Sequence, residues 1–444
     1  MRMTSRRRFT KAGAALLLAA TLGGDRAATP LAAAPAVSDT ANWPQFRGPN
    51  RDGRSTDTNL LQSWDGAGPA LVWKVSGIGT GYSSLSVTAD RIYTMGDLGD
   101  GQYVLGLSPT DGKLQWKTKI GPVWSDQFPG PRSTPTVDGA LIYAIGTEGD
   151  LVCLEGATGK LRWKKNLERD FGGFGMSDWK YTESPLVDGD RVVVTPGSNS
   201  AALVALDKTT GATIWKASMP SFGTGGRDGA GYSSVVVSNG GGVKQYVQLL
   251  GRGIVGIRAS DGAFLWGYNK VANNVANIPT PIVSGDFVFG SSGYNTGSVL
   301  LKLAPAAAGK VTATEVYFLE GRTFQNHHGG FVLVDGYIYG GQGHRNGLPI
   351  CVELATGTVK WGGNIRNDGQ GSAAIVYADG HVYYRYENGV VILVEATPAG
   401  YKETGKMKVQ TSDLLAWSYP VITGGRLYLR EKDSLFVYNL RRPS

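Results

Sequence analysis

The sequence predicts an all-β fold, an eight-bladed β-propeller with four antiparallel strands per blade. Three observations carry that expectation. The first is a recurring unit in which an apolar strand, a turn ending in glycine and a tryptophan four residues later follow one another. It is seen at Gly112/Trp116, Gly159/Trp163, Gly211/Trp215, Gly262/Trp266 and Gly357/Trp361. Successive tryptophans lie 47, 52, 51 and 95 residues apart; the last gap is two periods, and periods of about 40–50 residues mean propellers or solenoids. The second is an independent register of strand starts at Tyr82, Arg132, Thr182, Tyr232, Ile278, His328, Gly371 and Trp417, spaced by 50, 50, 50, 46, 50, 43 and 46 residues. The third is an incomplete last unit. It ends at Ser434–Tyr438 with no fourth strand, while Leu71–Val75 carries Trp73 with no strands before it, so pairing the two closes a ring and removes an exposed sheet edge.

Within each unit, Asp-Gly pairs sit between alternating apolar runs, as at Asp138-Gly139, Asp188-Gly189, Asp335-Gly336 and Asp379-Gly380. Such turns need positive φ and mark hairpins. A degenerate fifth unit is expected between Trp266 and Trp361, with a loosened turn through Gly309 and Val316-Tyr317 in place of the tryptophan. Glycine, at 65 of 444 residues, and a charged share of only 18% suit many short strands joined by tight turns. Residues 37–70 read as an irregular N-terminal arm laid over the surface of a propeller that spans residues 71–440.

Residues 1–36 read as an export leader. Ser5-Arg6-Arg7-Arg8-Phe9-Thr10-Lys11 has the twin-arginine form, an apolar run follows from Ala12 to Leu22, and small residues around Ala36 offer a cleavage site. Delivery to the periplasm or another extracytoplasmic space follows. No cysteine flanks the cleavage region, so no lipid anchor is expected, and no later run approaches the ~18 apolar residues of a membrane span. The leader holds six basic residues and Asp25, so the formal charge of +8 falls to +3 without it. That balance, with no basic aromatic groove, argues against nucleic-acid binding.

One unit is complete: Ala205, Asp207, Thr210, Gly211 and Trp215. This Ala-x-Asp-x-x-Thr-Gly-x-x-x-Trp pattern resembles the tryptophan-docking repeat of pyrroloquinoline quinone (PQQ) propellers. That superfamily includes quinoprotein alcohol dehydrogenases and the non-catalytic outer-membrane assembly propeller of Gram-negative bacteria. The other units keep glycine and tryptophan but carry Ser108, Glu155, Arg258 and Glu353 at the aspartate position. The stretch from Trp43 to Gly53, WPQFRGPNRDG, is similar to the opening of secreted PQQ-like propeller proteins. The repeat tryptophans are read as blade-locking groups, because an indole buries 150–250 Å², rather than as a cofactor motif.

Strand starts, the D-to-A connectors and the B-to-C loops share one face of such a ring, so functional groups are sought there, around the funnel. Arg132, Glu183 and His328 begin strands, Trp179 lies in a connector, and Arg252, Tyr294, His344 and Arg345 lie in B-to-C loops. Asn326-His327-His328 is the densest cluster, and three of the chain's four histidines fall on this face of one unit. Neutral imidazole is a common metal ligand. Adjacent His327 and His328 point to opposite sides of an extended strand, so a shared metal site needs an irregular backbone; the other reading is hydrogen-bonding or solvated funnel groups.

The resemblance implies, for a dehydrogenase, PQQ stacked near the funnel, Ca²⁺ on oxygen ligands and a carboxylate base. Glu183 is the carboxylate available at a strand start, with Arg132 the alternative ion-pair partner that would occupy it. Asp97 and Asp100 sit among glycines without forming an acidic loop. Many family members also carry a vicinal disulfide. Here Cys153 and Cys351 fall in opposite units and cannot bridge, since a disulfide needs Cα atoms within ~7 Å. Three functions remain: a non-catalytic binding or scaffold propeller taking a protein, peptide or glycan; a PQQ-dependent oxidoreductase acting on an alcohol or polyol; and a metal-assisted enzyme using His327, His328 and His344.

Overall fold

The computed structural model describes residues 42–409 and 415–443; the expected leader lies outside them. Those residues form eight four-stranded antiparallel sheets, seven in simple sequential order. In blade 8, strand Leu71–Ser76 pairs with Ser434–Asn439 as the outermost strand, so the N-terminal segment closes the ring as expected. Arg430 of blade 8 reinforces the closure from the buried side. It donates to the carbonyls of Gly79 at 2.9 Å and Ser83 at 3.3 Å, and to Thr94 Oγ1 at 2.5 Å, all from blade 1 or its approach.

The repeat glycine and tryptophan work as a pair between neighbouring blades. Trp116, Trp163, Trp215 and Trp361 each donate the indole N–H to a backbone carbonyl in the following blade: Gly156, Lys208, Ala259 and Thr397, at 2.7–3.1 Å. The indole lies flat on the next unit's glycine. A Cβ at Gly159 would stand 2.4 Å from Trp116, and one at Gly211 2.8 Å from Trp163. Both glycines also have positive φ, near +72°, a region that disfavours any side chain. The motif's spacing thus follows from a turn and a contact that both exclude a Cβ.

Three blades depart from this pairing. In blade 4, Trp266 donates to Gln245 Oε1 of its own blade at 2.5 Å. In blade 5, a long hairpin joins Gly297–Ala306 to Lys310–Glu320, and Tyr317 takes the tryptophan's place, donating its hydroxyl to Leu354 O at 2.8 Å. In blade 7 the docking position on strand Glu403–Lys408 is Gly405. The arm fills it from outside the blade: Trp64 bridges to Gly405, and its indole covers the spot where a Cβ would sit, 2.9 Å away. Trp64 meets Tyr383 at 5.8 Å, much as Trp163 meets Tyr143 at 6.0 Å within blade 2.

The first part of the arm does not lie over the surface, as the sequence suggested; only the later part, around Leu60 to Trp64, runs over the outside. Residues 42–55 run along the inner strands and fill the central channel. The Asn42 amide donates to Thr423 Oγ1 in blade 8, Trp43 bridges to Val87 in blade 1, and Val137 of blade 2 donates to Pro44 O. Arg51 reaches Ser184 O and Pro185 O in blade 3, at 2.7 and 2.9 Å, and Arg47 reaches Phe331 O in blade 6 across the ring. Gly53 and Ser55 pair with Tyr377 of blade 7. The physical reason is the unpaired edge of eight inner strands. Their free carbonyls need donors, and two buried arginines supply three of them, one from Arg47 and two from Arg51.

Candidate functional site

Above the plug the ring opens into a cavity of ≈ 360 Å³, on the face that carries strand starts, connectors and B-to-C loops. Phe46 of the plug contributes to its lining, so the funnel is blind. The wall is a belt of rings in contact. Tyr82 meets Trp417 at 4.9 Å, Trp417 meets Phe128 at 4.7 Å, Phe128 meets Trp179 at 6.4 Å and Trp179 meets Tyr232 at 5.9 Å. The belt continues through the histidines. Trp417 meets His328 at 5.0 Å, His328 meets His327 at 4.3 Å, His327 meets His344 at 4.2 Å and His344 meets Tyr294 at 4.4 Å. Phe128, Tyr294 and Arg345 all hold positive φ, 57–60°, a conformation that costs energy outside glycine and clusters at binding sites.

The histidine pair converges because its backbone is bent. Asn326 Oδ1 accepts the Gly330 amide at 2.8 Å, and its Nδ2 donates to Gly330 O and Gly341 O at 3.0 Å each. Asn326 is therefore not a funnel-lining group but the clamp that turns His327 and His328 to one side. Gly329 permits the turn, since a Cβ there would fall 1.6 Å from Ala373 O. His327 is buried, with Nδ1 3.0 Å from Ser372 Oγ and Nε2 3.3 Å from the Tyr294 hydroxyl. Opposite stands Glu387, in the tight turn between strands His381–Tyr386 and Val390–Glu395 of blade 7. Its Oε1 lies 3.3 Å from His328 Nε2 and accepts the Ser372 amide at 2.9 Å. Gly371 leaves room for it; a Cβ there would press on the carboxyl at 2.4 Å. Among the described residues, His327, His328 and Glu387 offer ligand atoms all within 4.8 Å of one another.

Charge in the site follows from burial. Desolvation, then the neighbouring His328, His344 and Arg345, drive the His327 imidazole far below its ordinary value. Burial and Arg345 lower His344 as well, so both rings are neutral and keep a lone pair. Burial works to raise the Glu387 carboxyl, but His328, the Ser372 amide and Trp417 outweigh it and hold it below the usual range.

Of the residues selected from the sequence, Arg132, Trp179, Tyr294, His327, His328, His344 and Arg345 line this one cavity. Arg132 spends its guanidinium on the carbonyls of Trp179, Gln127 and Phe128, at 3.3, 3.2 and 2.7 Å, which fixes the connector carrying Phe128. Besides Asn326, two expected members lie elsewhere. Arg252 pairs with Asp228 at 2.6 Å beside a separate cavity of ≈ 120 Å³. Glu183 is sealed beneath the funnel. It accepts Thr195 N at 2.7 Å and Thr195 Oγ1 at 2.8 Å, faces Arg51 of the plug, and makes no pair with Arg132. Burial lifts its carboxyl to about 8. Asp97 is likewise occupied, accepting Gln102 Nε2 at 2.9 Å and the Trp124 amide at 3.0 Å, and Asp100 pairs with Lys119 on the surface.

A model of a PQQ-repeat family, described as outer membrane protein assembly factor BamB, matches residues 100–363. The chain belongs to this family. Among curated relatives, BamB of Salmonella typhimurium is 26% identical over 121 residues, covering 26% of this chain and 27% of that protein. BamB of Pseudomonas aeruginosa is 38% identical over 63 residues, 14% of this chain and 16% of its own. The chain therefore spans about a quarter or less of these relatives' length. Among solved structures, BamB from Moraxella catarrhalis superposes with a TM-score of 0.59 at 15% identity, over 84% of this chain and 100% of that one. A quinohemoprotein alcohol dehydrogenase from Pseudomonas putida HK5 gives 0.61 at 14%, over 92% and 81%. Likeness at that identity shows the shared propeller fold.

The donor set does not match the calcium of the dehydrogenase branch. Ca²⁺ takes six to eight oxygens, whereas the only carboxylate in the cavity lining among the described residues, Glu387, stands among three imidazoles, and Glu183 is out of reach. Cys153 and Cys351 are free, buried and in separate blades. Glu387 and Trp417 carry much of the site and were missed in the sequence. Glu387 falls in a B-to-C turn and Trp417 at a strand start, so the face rule that selected His344 and Arg132 also contains them.

Proposed function

We propose that this chain is an extracytoplasmic binding propeller of the BamB type, exported through the twin-arginine leader of residues 1–36, that takes its ligand end-on into the funnel. The blind, ring-lined cavity carries this reading. A plugged channel cannot thread a chain, and ≈ 360 Å³ suits a side chain or two, or a small molecule. The aromatic wall favours a peptide that presents an aromatic or aliphatic side chain. The relatives are named as outer membrane protein assembly factors, which is consistent with a client made of extended, alternating apolar segments.

The test is calorimetric titration of the purified chain with amphipathic β-strand peptides, soluble glycans, and PQQ with Ca²⁺. Saturable peptide binding that Trp417→Ala abolishes supports the reading. Tight PQQ uptake with dye-linked oxidation of an alcohol overturns it in favour of a quinoprotein dehydrogenase, for which the fold likeness to the Pseudomonas putida enzyme is the supporting observation.

A further inference from the structure

We infer that His327, His328 and Glu387 form a site for one divalent cation of the zinc class, with an open coordination position facing the funnel cavity. The inference concerns the same funnel but stands whether or not the ligand is a peptide.

Two imidazoles and one carboxylate, in a pocket of their own, are the donor set of zinc sites that keep a free position. The nitrogen-rich mixture disfavours Ca²⁺ and Mg²⁺, which select oxygen, and suits Zn²⁺ or Co²⁺. A tetrahedral ion with bonds of about 2.0–2.1 Å sets its ligand atoms roughly 3.4 Å apart. His328 Nε2 and Glu387 Oε1 already stand at 3.3 Å. All three ligand atoms lie within 4.8 Å, so His327 needs a shift of roughly 1 Å or a little more to complete the triangle.

Three further observations point to a ligand rather than to a simple His–Glu pair. His328 Nε2 is shielded from solvent yet meets no acceptor in hydrogen-bond alignment, despite its nearness to the carboxylate. Both nitrogens of His327 have an oxygen partner, Ser372 on one side and Tyr294 on the other. Whichever nitrogen binds the ion, the other keeps a group that orients the ring, as metal-bound histidines require. The supporting contacts are also rigid: Ser372 N holds Glu387, and Asn326 holds the bend that brings two adjacent histidines to one side.

His344 completes the arrangement as a neighbour. Its ring is 4.2 Å from that of His327, and its Nδ1 is shielded and unpartnered. It adds a third imidazole beside the site without joining the ligand set. The open position would take an oxygen donor, such as a carboxylate or hydroxyl of the ligand, while the aromatic belt holds its apolar part.

The experiment uses the tag-free chain, stripped with chelator and titrated with Zn²⁺ by calorimetry and with Co²⁺ by visible absorption. One ion per chain is expected, with Co²⁺ absorption of tetrahedral or five-coordinate intensity. His328→Ala and the near-isosteric Glu387→Gln are each expected to weaken binding at least tenfold. Trp179→Ala, on the opposite wall, keeps stoichiometric metal even where it loses peptide. Absence of stoichiometric Zn²⁺ and Co²⁺ binding in the wild-type chain overturns the inference. So does binding that is unchanged in folded Glu387→Gln. Neither result bears on whether peptide binds.

Discussion

The outer rim of the ring and the mouth of the funnel are built from the same eight repeats, but different forces shape them. At the rim most blades share one requirement, to cover the next blade's turn with a flat ring. The result is periodic, from Trp116 on Gly159 to Trp215 on Gly262. Where the sequence lapses, Tyr317 restores the contact on Gly357, and Trp64 from the arm covers Gly405 on the outer strand of blade 7. At the mouth no packing rule repeats. One wall, from blades 1–4, presents Tyr82, Phe128, Trp179 and Tyr232; the other, from blades 5–7, presents Tyr294, His327, His328, His344 and Glu387. Rim residues are constrained by neighbours in the fold, and mouth residues by what enters. Variants should therefore separate into those that change stability and those that change binding.

The largest loss of stability is expected from Trp215→Ala. The indole is buried, packs on Gly262 and donates to Ala259 O at 3.1 Å. Removing it costs roughly 3–5 kcal/mol, read as a lower urea midpoint, with funnel ligand and metal affinity unchanged in the folded fraction. Trp64→Ala follows. The side chain is half-buried and its indole N–H meets no hydrogen-bond acceptor among the described residues, so roughly 2 kcal/mol is expected from lost packing alone. A loss as small as that of an exposed residue would show that blade 7 does not depend on the arm.

The rim was legible in the sequence because its rules are local. A positive-φ glycine and a tryptophan four residues on can be counted, and the ring closure follows from one missing strand. The course of the arm was not legible. Arg47 and Arg51 look like surface charges, and only the assembled ring supplies the inward-facing carbonyls that bury them. The face rule placed His327, His328 and His344 together, but it could not reveal that Asn326 bends the backbone to align two adjacent rings. Glu183 failed for a related reason. A strand start on the correct face can still lie below the floor, once a plug covers it.

Glu183 gives a smaller, pH-dependent effect. Its carboxyl is raised from 4.5 to about 8, chiefly by burial, with Thr195 and Arg51 opposing. Between those values the folded chain binds a proton that the unfolded chain releases, so stability falls as pH rises. The contribution is complete below about 4.5 and lost by about 8. Urea unfolding at several pH values should show this decline in the wild type and a flatter profile in Glu183→Gln. An unchanged slope would mean that Arg51 keeps Glu183 ionised throughout.

Trp179→Ala should disturb stability least. The indole is half-buried, its N–H reaches only Gln127 Oε1 at 3.4 Å, and its rings touch Phe128 and Tyr232 at 6.4 and 5.9 Å. No blade rests on it, so a stability change within about 1 kcal/mol is expected, against a loss of roughly tenfold or more in peptide affinity, since aromatic anchors dominate such contacts. The variant tests the division most directly, because Trp179 and Trp215 are the same residue type, in the connector before blade 3 and in the outer strand of that blade. If Trp179→Ala lowered the unfolding midpoint as far as Trp215→Ala, the aromatic belt would be a structural collar, and binding would have to rest on the histidine wall alone.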